Sequence, residues 1–436
     1  MVKILYEMTY ATRGQSGIPR DAKSLAQVLL NNQRVETDFL LNPRNYNKKK
    51  KASNQDSKWL SNELGDALRH EQGRSAIPAI FISALILLQS FSLRRSVSRL
   101  KLSSMQTKNV FNFLKLKVGA DIKRQHSVYI LSISYLARFA RADFLGPFKV
   151  VTKGYDFFIQ QQVDPITVSR RTKHVVRLHD FLPISHPQFF GQMGVKVFSK
   201  SLRIMLKGRD KIWVMDSNQT AKEFKTYFGE NLNVYVIPCV VNVKTQNEAN
   251  LPRKNQICMV NTIEPRKRVS LAIAGFREAK TAGLIPEDWE FVIVGNEGWQ
   301  EKNLVGNLKK QLFGPDIRFI EGAPDFELEK IYAQSRILLS TSAAEGFGLP
   351  PLEGMAHGCF PVVSDIPQHR ETVGEFGLFF EGDNPTNVAK KLSEAVEIIE
   401  KSNDGLSVTL AEHVKANYSE EVIANMWSTL IEVESN

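Results

Sequence analysis

The stretch EGFGLPPLEG, residues 345–354, is the part of the sequence from which the fold can be argued. It follows an apolar run, RILLSTSA, that is typical of a buried strand, and it leads into a helical pattern. Its glycines permit a tight loop and a close approach of backbone to a ligand. Its prolines suit the first turn of a helix, where the missing N–H would have no partner in any case. The stretch therefore predicts a strand, a turn and a helix start in succession.

The two glutamates of this stretch indicate a class of ligand. The start of a helix suits an anion such as phosphate, because its N–H groups and its dipole are positive. Glu345 and Glu353 flank that start, and carboxylates repel phosphate but accept hydrogen bonds from hydroxyls. A nucleotide sugar has ribose on one side of its diphosphate and a hexose on the other. It satisfies all three features.

Strand-like and helical segments alternate along both halves of the chain. The strand candidates of the first half are 2–9, 38–41, 155–162, 173–181, 211–217 and 233–241, and 128–135 is either a strand or a buried helix. QICMVNTI, WEFVIVGNEG, DIRFIEGA, RILLSTSA and CFPVVSD follow in the second half. This alternation predicts parallel sheets of βα units, with ligands outside the carboxyl ends of the strands. A polar, unpatterned stretch near 240–252 separates the halves.

Composition indicates a folded protein with anionic partners. Of 436 residues, 43% are hydrophobic and 24% charged, and the formal net charge is +11. Such a charge fits nucleic acid, an anionic membrane or a phosphorylated substrate. No zinc-finger spacing or RNA-recognition motif is present, so we expect no nucleic acid. The three cysteines lack metal-like spacing and favour a reducing compartment, and the N-terminus lacks the features of a signal peptide.

One apolar and basic stretch, Ile77–Leu102, predicts a membrane contact. Its apolar part, Ile77–Leu88, is shorter than the roughly 20 residues that a transmembrane helix requires. Arg94, Arg95, Arg99 and Lys101 follow it, and Lys48–Lys51 forms a second basic cluster. This pattern favours a helix in the interface of an anionic bilayer. The alternative is a buried core helix with a solvated basic turn.

Several blocks, in order, resemble one enzyme family. EGFGLPPLEG resembles the E-x7-E motif of the retaining glycosyltransferases of family 4, also called group 1, which have the GT-B fold. VNTIEPRKRVSLAIAGF, VIVGNEGW and GCFPVVSDIPQHRETVG resemble the donor-domain segments of that family. VVRLHDFLP and VIPCVVNV resemble acceptor-domain and hinge segments. The resemblance covers residues from about 170 to about 385 and is thin over 43–150.

The resemblance implies an α/β architecture of two Rossmann-like, doubly wound domains that face each other across a cleft. Residues 1–245 are the predicted N-terminal acceptor-binding domain, in which 43–125 is variable. Residues 246–415 are the predicted C-terminal domain for the nucleotide-sugar donor. Residues 416–436 are predicted to form a closing helix that packs back on the N-terminal domain.

The resemblance also implies catalytic residues. Glu345 would accept hydrogen bonds from hydroxyls of the donor sugar, and His179 would lie near the anomeric carbon. Arg266 and Lys267 would neutralise the leaving diphosphate. Many relatives carry a further arginine in a "GR" pair where this chain has Asn261-Thr262. Whether another residue replaces that arginine stays open.

Further residues are expected to bind the donor or the acceptor. Glu353 would bind ribose hydroxyls, and Glu321 and Gly322 would contact the base, mostly through backbone. Asp180 would hold its loop or orient His179. Asp216 and Ser217 have the sequence context of a helix cap. The other donor-binding candidates are Gly346, Phe347, Gly348, Leu349 and Gly17, and the acceptor-binding candidates are Arg20 and Asp180.

The predicted function is the retaining transfer of a hexose, with mannose as one candidate, from a nucleotide sugar to a lipid-linked or polysaccharide acceptor. Lipopolysaccharide O-antigen and exopolysaccharide synthesis are examples, with the enzyme cytoplasmic and peripheral on the inner membrane face. No cofactor and no metal are expected, because no Asp-x-Asp pair is placed for one. The alternatives are a soluble transferase that makes a small glycoside or glucan, a nucleotide-sugar 2-epimerase, and a non-enzymatic anion-binding protein. The E-x7-E spacing favours transfer.

Overall fold

A computed structural model of the protein describes most of the chain. The described residues are 1–7, 17–41, 97–99, 128–131, 148–150, 152–207, 210–243, 252–296, 298, 315–402 and 405–436. The segment 43–125 and the stretch Ile77–Leu102 therefore lie outside them, apart from 97–99. The membrane contact predicted there stays a prediction.

The first sheet belongs to the N-terminal domain and has the order β10-β9-β8-β6-β1-β2-β4-β3. Its strands are β1 (Val2–Glu7), β2 (Val35–Leu41), β3 (Val97–Arg99), β4 (Val128–Leu131), β6 (Phe157–Gln160), β8 (Lys173–Leu178), β9 (Ile212–Met215) and β10 (Asn233–Val236). Neighbouring strands are parallel except β3 with β4. Two short strands, β5 (Phe148–Lys149) and β7 (Ile166–Thr167), pair separately. The segment 128–135, for which a helix was the alternative, begins with a strand.

The second sheet belongs to the C-terminal domain and is entirely parallel, with the order β13-β12-β11-β14-β15-β16. Its strands are β11 (Gln256–Val260), β12 (Glu290–Val294), β13 (Ile317–Ile320), β14 (Ile337–Ser340), β15 (Phe360–Ser364) and β16 (Leu378–Phe380). All side chains of β14 and β15 are buried, as expected for parallel strands covered on both faces. This strand order is that of a Rossmann fold, and it places a crevice beside β11 and β14.

Helices connect the strands of both sheets. Those among the described residues are α1 (Gly17–Asn31), α2 (Leu182–Ser185), α3 (Gln192–Leu206), α4 (Asn218–Phe228), α5 (Val269–Thr281), α6 (Asp325–Gln334), α7 (Leu349–Ala356), α8 (Pro367–Val373), α9 (Pro385–Lys401), α10 (Gly405–Tyr418) and α11 (Glu420–Ser435). Pro187–Phe189 and Pro265–Lys267 are single 3-10 turns. None of these helices is both long and apolar enough to cross a bilayer.

The last helix, α11, packs on the N-terminal domain. Its Trp427 and Leu430 are buried in one cluster with Leu25 and Leu29 of α1. Burial of each such side chain stabilises the fold by about 1.5–3 kcal/mol. The chain therefore crosses from the C-terminal domain back to the N-terminal domain, and it couples the two. The predicted fold, two Rossmann-like domains that face each other across a cleft, is confirmed.

Candidate active site

A cleft of about 490 Å³ lies between the two domains, lined by residues that follow the strands of both sheets. Its N-terminal side consists of Gly17, Ile18, Pro19, Arg20, His179, Asp180, Asp216 and Cys239. Its C-terminal side consists of Val260, Asn261, Thr262, Arg266, Lys267, Val294, Gly295, Asn296, Gly322, Ala323, Leu328, Glu345, Gly346, Phe347, Gly348, Leu349, Pro350 and Glu353. Of the residues predicted from the sequence, all but Glu321 are in this lining.

Glu345 lies at the centre of a buried ion cluster. Arg266 Nη1 donates to Glu345 Oε2 at 2.8 Å, and Lys267 Nζ donates to Oε1. Burial alone would raise the pKa of Glu345, but Lys267 and Arg266 outweigh it and hold that pKa well below its usual range. Glu345 is therefore ionised, and the two cations expected to meet the diphosphate already share its carboxylate.

The cations are held by a short turn that is joined to the glutamate loop. Arg266 also donates to Ala344 O at 3.0 Å and pairs with Glu264 at 2.7 Å. The amide of Ala343 donates to Arg266 O at 2.7 Å. Because backbone and side-chain bonds connect the two segments, Arg266 and Glu345 keep a fixed geometry before any ligand binds.

Gly346 lies in contact with the N-terminal domain. Ser217 Oγ and Thr220 Oγ1 each donate to Gly346 O at 3.0 Å. A Cβ atom built on Gly346 would lie 2.4 Å from His179 O, which is far inside van der Waals contact. Glycine is required here because the two domains meet at this residue.

Helix α7 starts at the cleft in a geometry that only glycine adopts readily. Gly348 has a φ of 91° and precedes the first residue, Leu349. Pro350 and Pro351 have no N–H, so the amides that the turn can offer to a ligand are chiefly those of Gly348 and Leu349. The ring of Phe347 is buried and packs edge-to-face on Tyr418 at 5.7 Å, which leaves its backbone for the cleft.

Glu353 carries a contact across the cleft. Tyr332 Oη donates to Glu353 Oε2 at 2.8 Å, and Arg20 Nη1, from α1 of the N-terminal domain, donates to Oε1. Arg20 Nη2 also lies 3.5 Å from Asp325 Oδ1. Burial opposes the charge of Arg20, but Glu353 outweighs it and raises the pKa of the guanidinium. Arg20, expected to bind the acceptor, is thus paired with the carboxylate expected to bind ribose.

His179 follows β8 directly and is held at both ring nitrogens. Nδ1 lies 2.8 Å from Asp216 Oδ2, and Nε2 lies 3.0 Å from Gln161 Oε1. Both neighbouring oxygens accept hydrogen bonds, and a doubly protonated ring donates to both of them. Burial lowers the pKa of His179, but Asp216 outweighs this and raises it above the ordinary value.

Behind His179 lies a buried charge network that the sequence did not predict. Arg177, 1% exposed, donates to both carboxylate oxygens of Asp21, at 2.6 and 2.8 Å, and pairs with Asp216 at 3.0 Å. Of the two residues expected to cap a helix, Ser217 does so by accepting from the Thr220 amide, whereas Asp216 is part of the site. Of the two roles expected of Asp180, the orientation of His179 is provided by Asp216 instead. Asp180 accepts from the Leu182 amide at 3.1 Å and holds its loop.

One group of possible metal ligands occurs among the described residues, and it belongs to this network. Donor atoms of Asp21, His179 and Cys239 lie within 4.8 Å of one another. Arg177 already supplies two hydrogen bonds to Asp21, so a cation there would compete with a guanidinium. Burial raises the pKa of the Cys239 thiol and keeps it neutral, which makes it a poor ligand. The expectation of no metal stays a prediction.

Two further positions concern the base contact expected from the sequence and the missing arginine. Of the two residues expected near the base, Gly322 lines the cleft, whereas Glu321 is exposed and lies outside that lining. Asn261, at the position of the missing arginine, lines the cleft, and its Oδ1 is buried with no hydrogen-bond partner among the described residues. An acceptor without a partner is available to a donor group of a ligand.

A further cross-domain contact comes from Glu371 of α8. Its Oε1 accepts from the Asn218 amide at 2.6 Å, and its Oε2 accepts from the Gln219 amide at 2.9 Å. A carboxylate on the first-turn amides of α4 favours the closed arrangement of the two domains.

Solved structures of GT-B enzymes share this fold over the whole chain. Sucrose-phosphate synthase of Thermosynechococcus elongatus superposes with a TM-score of 0.62 at 13% identity and covers 99% of each chain. HepE of Anabaena, in complex with UDP and glucose, has a TM-score of 0.61 at 13% identity and covers 99% of this chain and 100% of its own. The likeness defines the fold class as GT-B.

The sequence comparisons give the family. Residues 242–404 match the group 1 glycosyl transferases, so the C-terminal half is a group 1 glycosyltransferase domain. The serotype-specific mannosyltransferase WbdA of Escherichia coli is 26% identical over 253 residues, 52% of this chain and 30% of its own length. The O-antigen chain mannosyltransferase RfbU of Salmonella typhimurium is 26% identical over 243 residues, 55% and 65% of the two chains.

These matches confirm the predicted group 1 family for residues 242–404. The chain matches about 30% of the length of the WbdA proteins, so activities of those longer proteins are not transferred to it directly. The family 4 assignment and the retention of anomeric configuration stay predictions.

Proposed function

We propose that the protein is a retaining hexosyltransferase that moves mannose from a nucleotide-sugar donor to a lipid-linked O-antigen or related polysaccharide. The observation that carries this proposal is the placement of Glu345 and Glu353 in one cleft on either side of the first turn of α7. Mannosyltransferase names among the relatives support the sugar, and O-antigen names support the acceptor.

In this proposal the donor lies along the start of α7. Its diphosphate faces the amides of Gly348 and Leu349, its hexose faces Glu345, and its ribose faces Glu353. Arg266 and Lys267 stabilise the charge that grows on the diphosphate as the bond to the anomeric carbon breaks. No new cation has to be recruited, because both are already ordered by Glu345.

The transfer step needs no nucleophile from the protein. The acceptor hydroxyl attacks the anomeric carbon on the face that the diphosphate leaves, and its proton passes to an oxygen of the departing diphosphate. The sugar therefore keeps its anomeric configuration. His179, fixed by Asp216, borders this position and presents a charged ring to the donor hydroxyls.

We place the enzyme in the cytoplasm, at the inner face of the membrane, because a lipid-linked acceptor would be met there. The test is a transfer assay with the full chain and a panel of GDP-, UDP-, dTDP- and ADP-sugars. It uses a lipid-diphosphate oligosaccharide and a water-soluble mannoside as acceptors.

The expected product of that assay is a mannosylated lipid-linked glycan with retained configuration, formed from GDP-mannose and identified by NMR. Transfer only to the soluble mannoside would favour the small-glycoside alternative. Binding of nucleotide sugars without transfer to any acceptor, or inverted product, would contradict the proposal.

A further inference from the structure

Helix α3 has one face that packs in the N-terminal domain. Leu202 and Met205 are buried in a cluster that also contains Trp213 and Phe224, and Phe198 packs against it from the same side. These positions follow the spacing of a single helical face. The opposite face of α3 therefore points away from the core.

That outer face is apolar at its centre. Met193 is 73% exposed and Val197 45% exposed, and their spacing of four residues places them side by side. Ile204, which is half-buried, continues the same stripe two turns further along. Single exposed apolar residues are common in soluble proteins, but an aligned row beside cations indicates an interaction surface.

The surroundings of this row carry one sign of charge. Lys196, Arg203 and Lys207 are exposed beside the apolar stripe. The sequence from Phe181 to Arg209 contains no acidic residue. The partner that such a surface favours must therefore be anionic and must also accept apolar side chains.

We propose that the outer face of α3, formed by Met193, Val197, Ile204, Lys196, Arg203 and Lys207, docks on an anionic lipid bilayer. Apolar side chains would enter below the headgroups while the cations contact lipid phosphates. A second copy of the chain is disfavoured as the occupant, because two equally basic faces repel each other.

The position of α3 in the chain determines where the cleft would lie relative to the membrane. The chain passes from His179, in the cleft, through α2 and one 3-10 turn to the start of α3. Docking of α3 would therefore place the acceptor side of the cleft near the bilayer, where a lipid-linked acceptor resides. This orientation rests on the proposed function, whereas the docking itself does not.

The test is co-sedimentation of the full chain with vesicles of phosphatidylcholine, with and without phosphatidylglycerol. We expect binding to the anionic vesicles alone, weakened by high salt. The variant Met193→Asp with Val197→Asp should lose binding by about tenfold or more, and Lys196→Glu with Arg203→Glu should do the same.

The matched control is Phe326→Asp on α6 of the C-terminal domain, because Phe326 is equally exposed at 75% but lies outside the docking face. It should bind vesicles like the wild type. All variants should keep the thermal midpoint of the wild type, since the changed side chains are exposed.

Undiminished vesicle binding by the Met193 and Val197 variant would overturn the proposal, as would equal binding of the Phe326 and Met193 variants. A wild type that does not bind vesicles but forms dimers that this variant dissolves would also overturn it, in favour of a second copy. Transfer by the wild type to the lipid-linked and to the water-soluble acceptor is measured separately. Absence of transfer to both, with intact vesicle binding, contradicts the proposed function and leaves the docking in place.

Discussion

The imidazole of His179 donates through Nδ1 to Asp216 Oδ2 at 2.8 Å, and the other oxygen of the same carboxylate lies 3.0 Å from Arg177. One carboxylate therefore balances two buried cations at the N-terminal wall of the cleft. Asp21 supplies the second negative charge through its two bonds to Arg177. The network is neutral as a whole, and the loss of any one member leaves an uncompensated charge.

Replacement of Asp216 tests whether His179 acts as a charged ring. Because Asp216 raises the pKa of His179 above its ordinary value of 6.5, the stabilisation is fully present below pH 6.5 and is lost as pH rises through the higher folded value. Asp216→Asn should lower that pKa, shift the alkaline limb of the pH–rate profile to lower pH and cut turnover roughly 10–100-fold at neutral pH. An unchanged pH profile at reduced stability would mean that Asp216 is merely structural.

A second buried histidine should show the opposite pH dependence. Burial, with a contribution from Lys211, lowers the pKa of His174 to about 3. The folded state therefore binds fewer protons than the unfolded state below pH 6.5, and stability falls as pH falls through that window. We expect a free energy of unfolding roughly 2 kcal/mol lower at pH 5 than at pH 7 from this group. His174→Gln should reduce this loss of stability between pH 7 and pH 5, as measured by urea titration. An unchanged pH dependence of the free energy of unfolding would contradict the assignment.

A double mutant in the ion cluster at Glu345 distinguishes the effect on turnover from the effect on stability. Lys267→Met and Glu345→Gln should each cut turnover by about 100-fold or more. Each should also lower the free energy of unfolding by about 3 kcal/mol, because a buried partner is lost. The double variant should recover much of the stability but none of the activity. Near-wild-type turnover of Lys267→Met would contradict the proposed role of this cation.

Gly346→Ala tests the contact between the domains. The added methyl group would lie 2.4 Å from His179 O, so the cleft has to open. We expect a larger radius of gyration by X-ray scattering and a turnover reduced about 100-fold, in line with the cost of small misplacements at a site. Gly405→Ala, where a methyl group meets nothing within 4 Å, is the control and should leave both unchanged. An unaltered scattering profile of Gly346→Ala would contradict this prediction.

Arg20→Gln distinguishes a donor role from the acceptor role that the sequence indicated. Arg20 bridges to Glu353 across the cleft, so its loss should weaken donor binding about tenfold through a less closed cleft. The KM for the acceptor should stay near the wild-type value. Isothermal titration with GDP and GDP-mannose measures the first quantity, and steady-state kinetics measures the second. A raised acceptor KM with unchanged donor affinity would restore the original assignment.

The parts of the molecule that the sequence predicted well have local signals. Strands such as Ile337–Ser340 are continuous apolar runs because both of their faces are covered. The turn at 345–354 is recognisable because glycine, proline and carboxylate each have a local reason to be there. About ten consecutive residues are enough to predict either the strand or the turn.

The parts of the site that the sequence did not predict depend on partners that lie far away along the chain. Arg177 bonds Asp21, which lies 156 positions away, and Asp216 meets His179 across two strands. No local spacing encodes such pairs. The one available signal was a charged residue within the apolar run VVRL, since a charge that is buried in a central strand requires a partner. The base contact expected of Glu321 and Gly322 stays a prediction, and of the two only Gly322 is in the cleft lining.

The carboxylate of Glu371 on the first-turn amides of α4 limits how halves of related enzymes can be recombined. A chimera that keeps residues 1–243 and takes its remaining half from a relative would retain those amides but could lose the side chain that meets them. A chimera with a different sugar specificity should therefore exchange both sides of this contact together, so that Glu371 still meets the amides of Asn218 and Gln219.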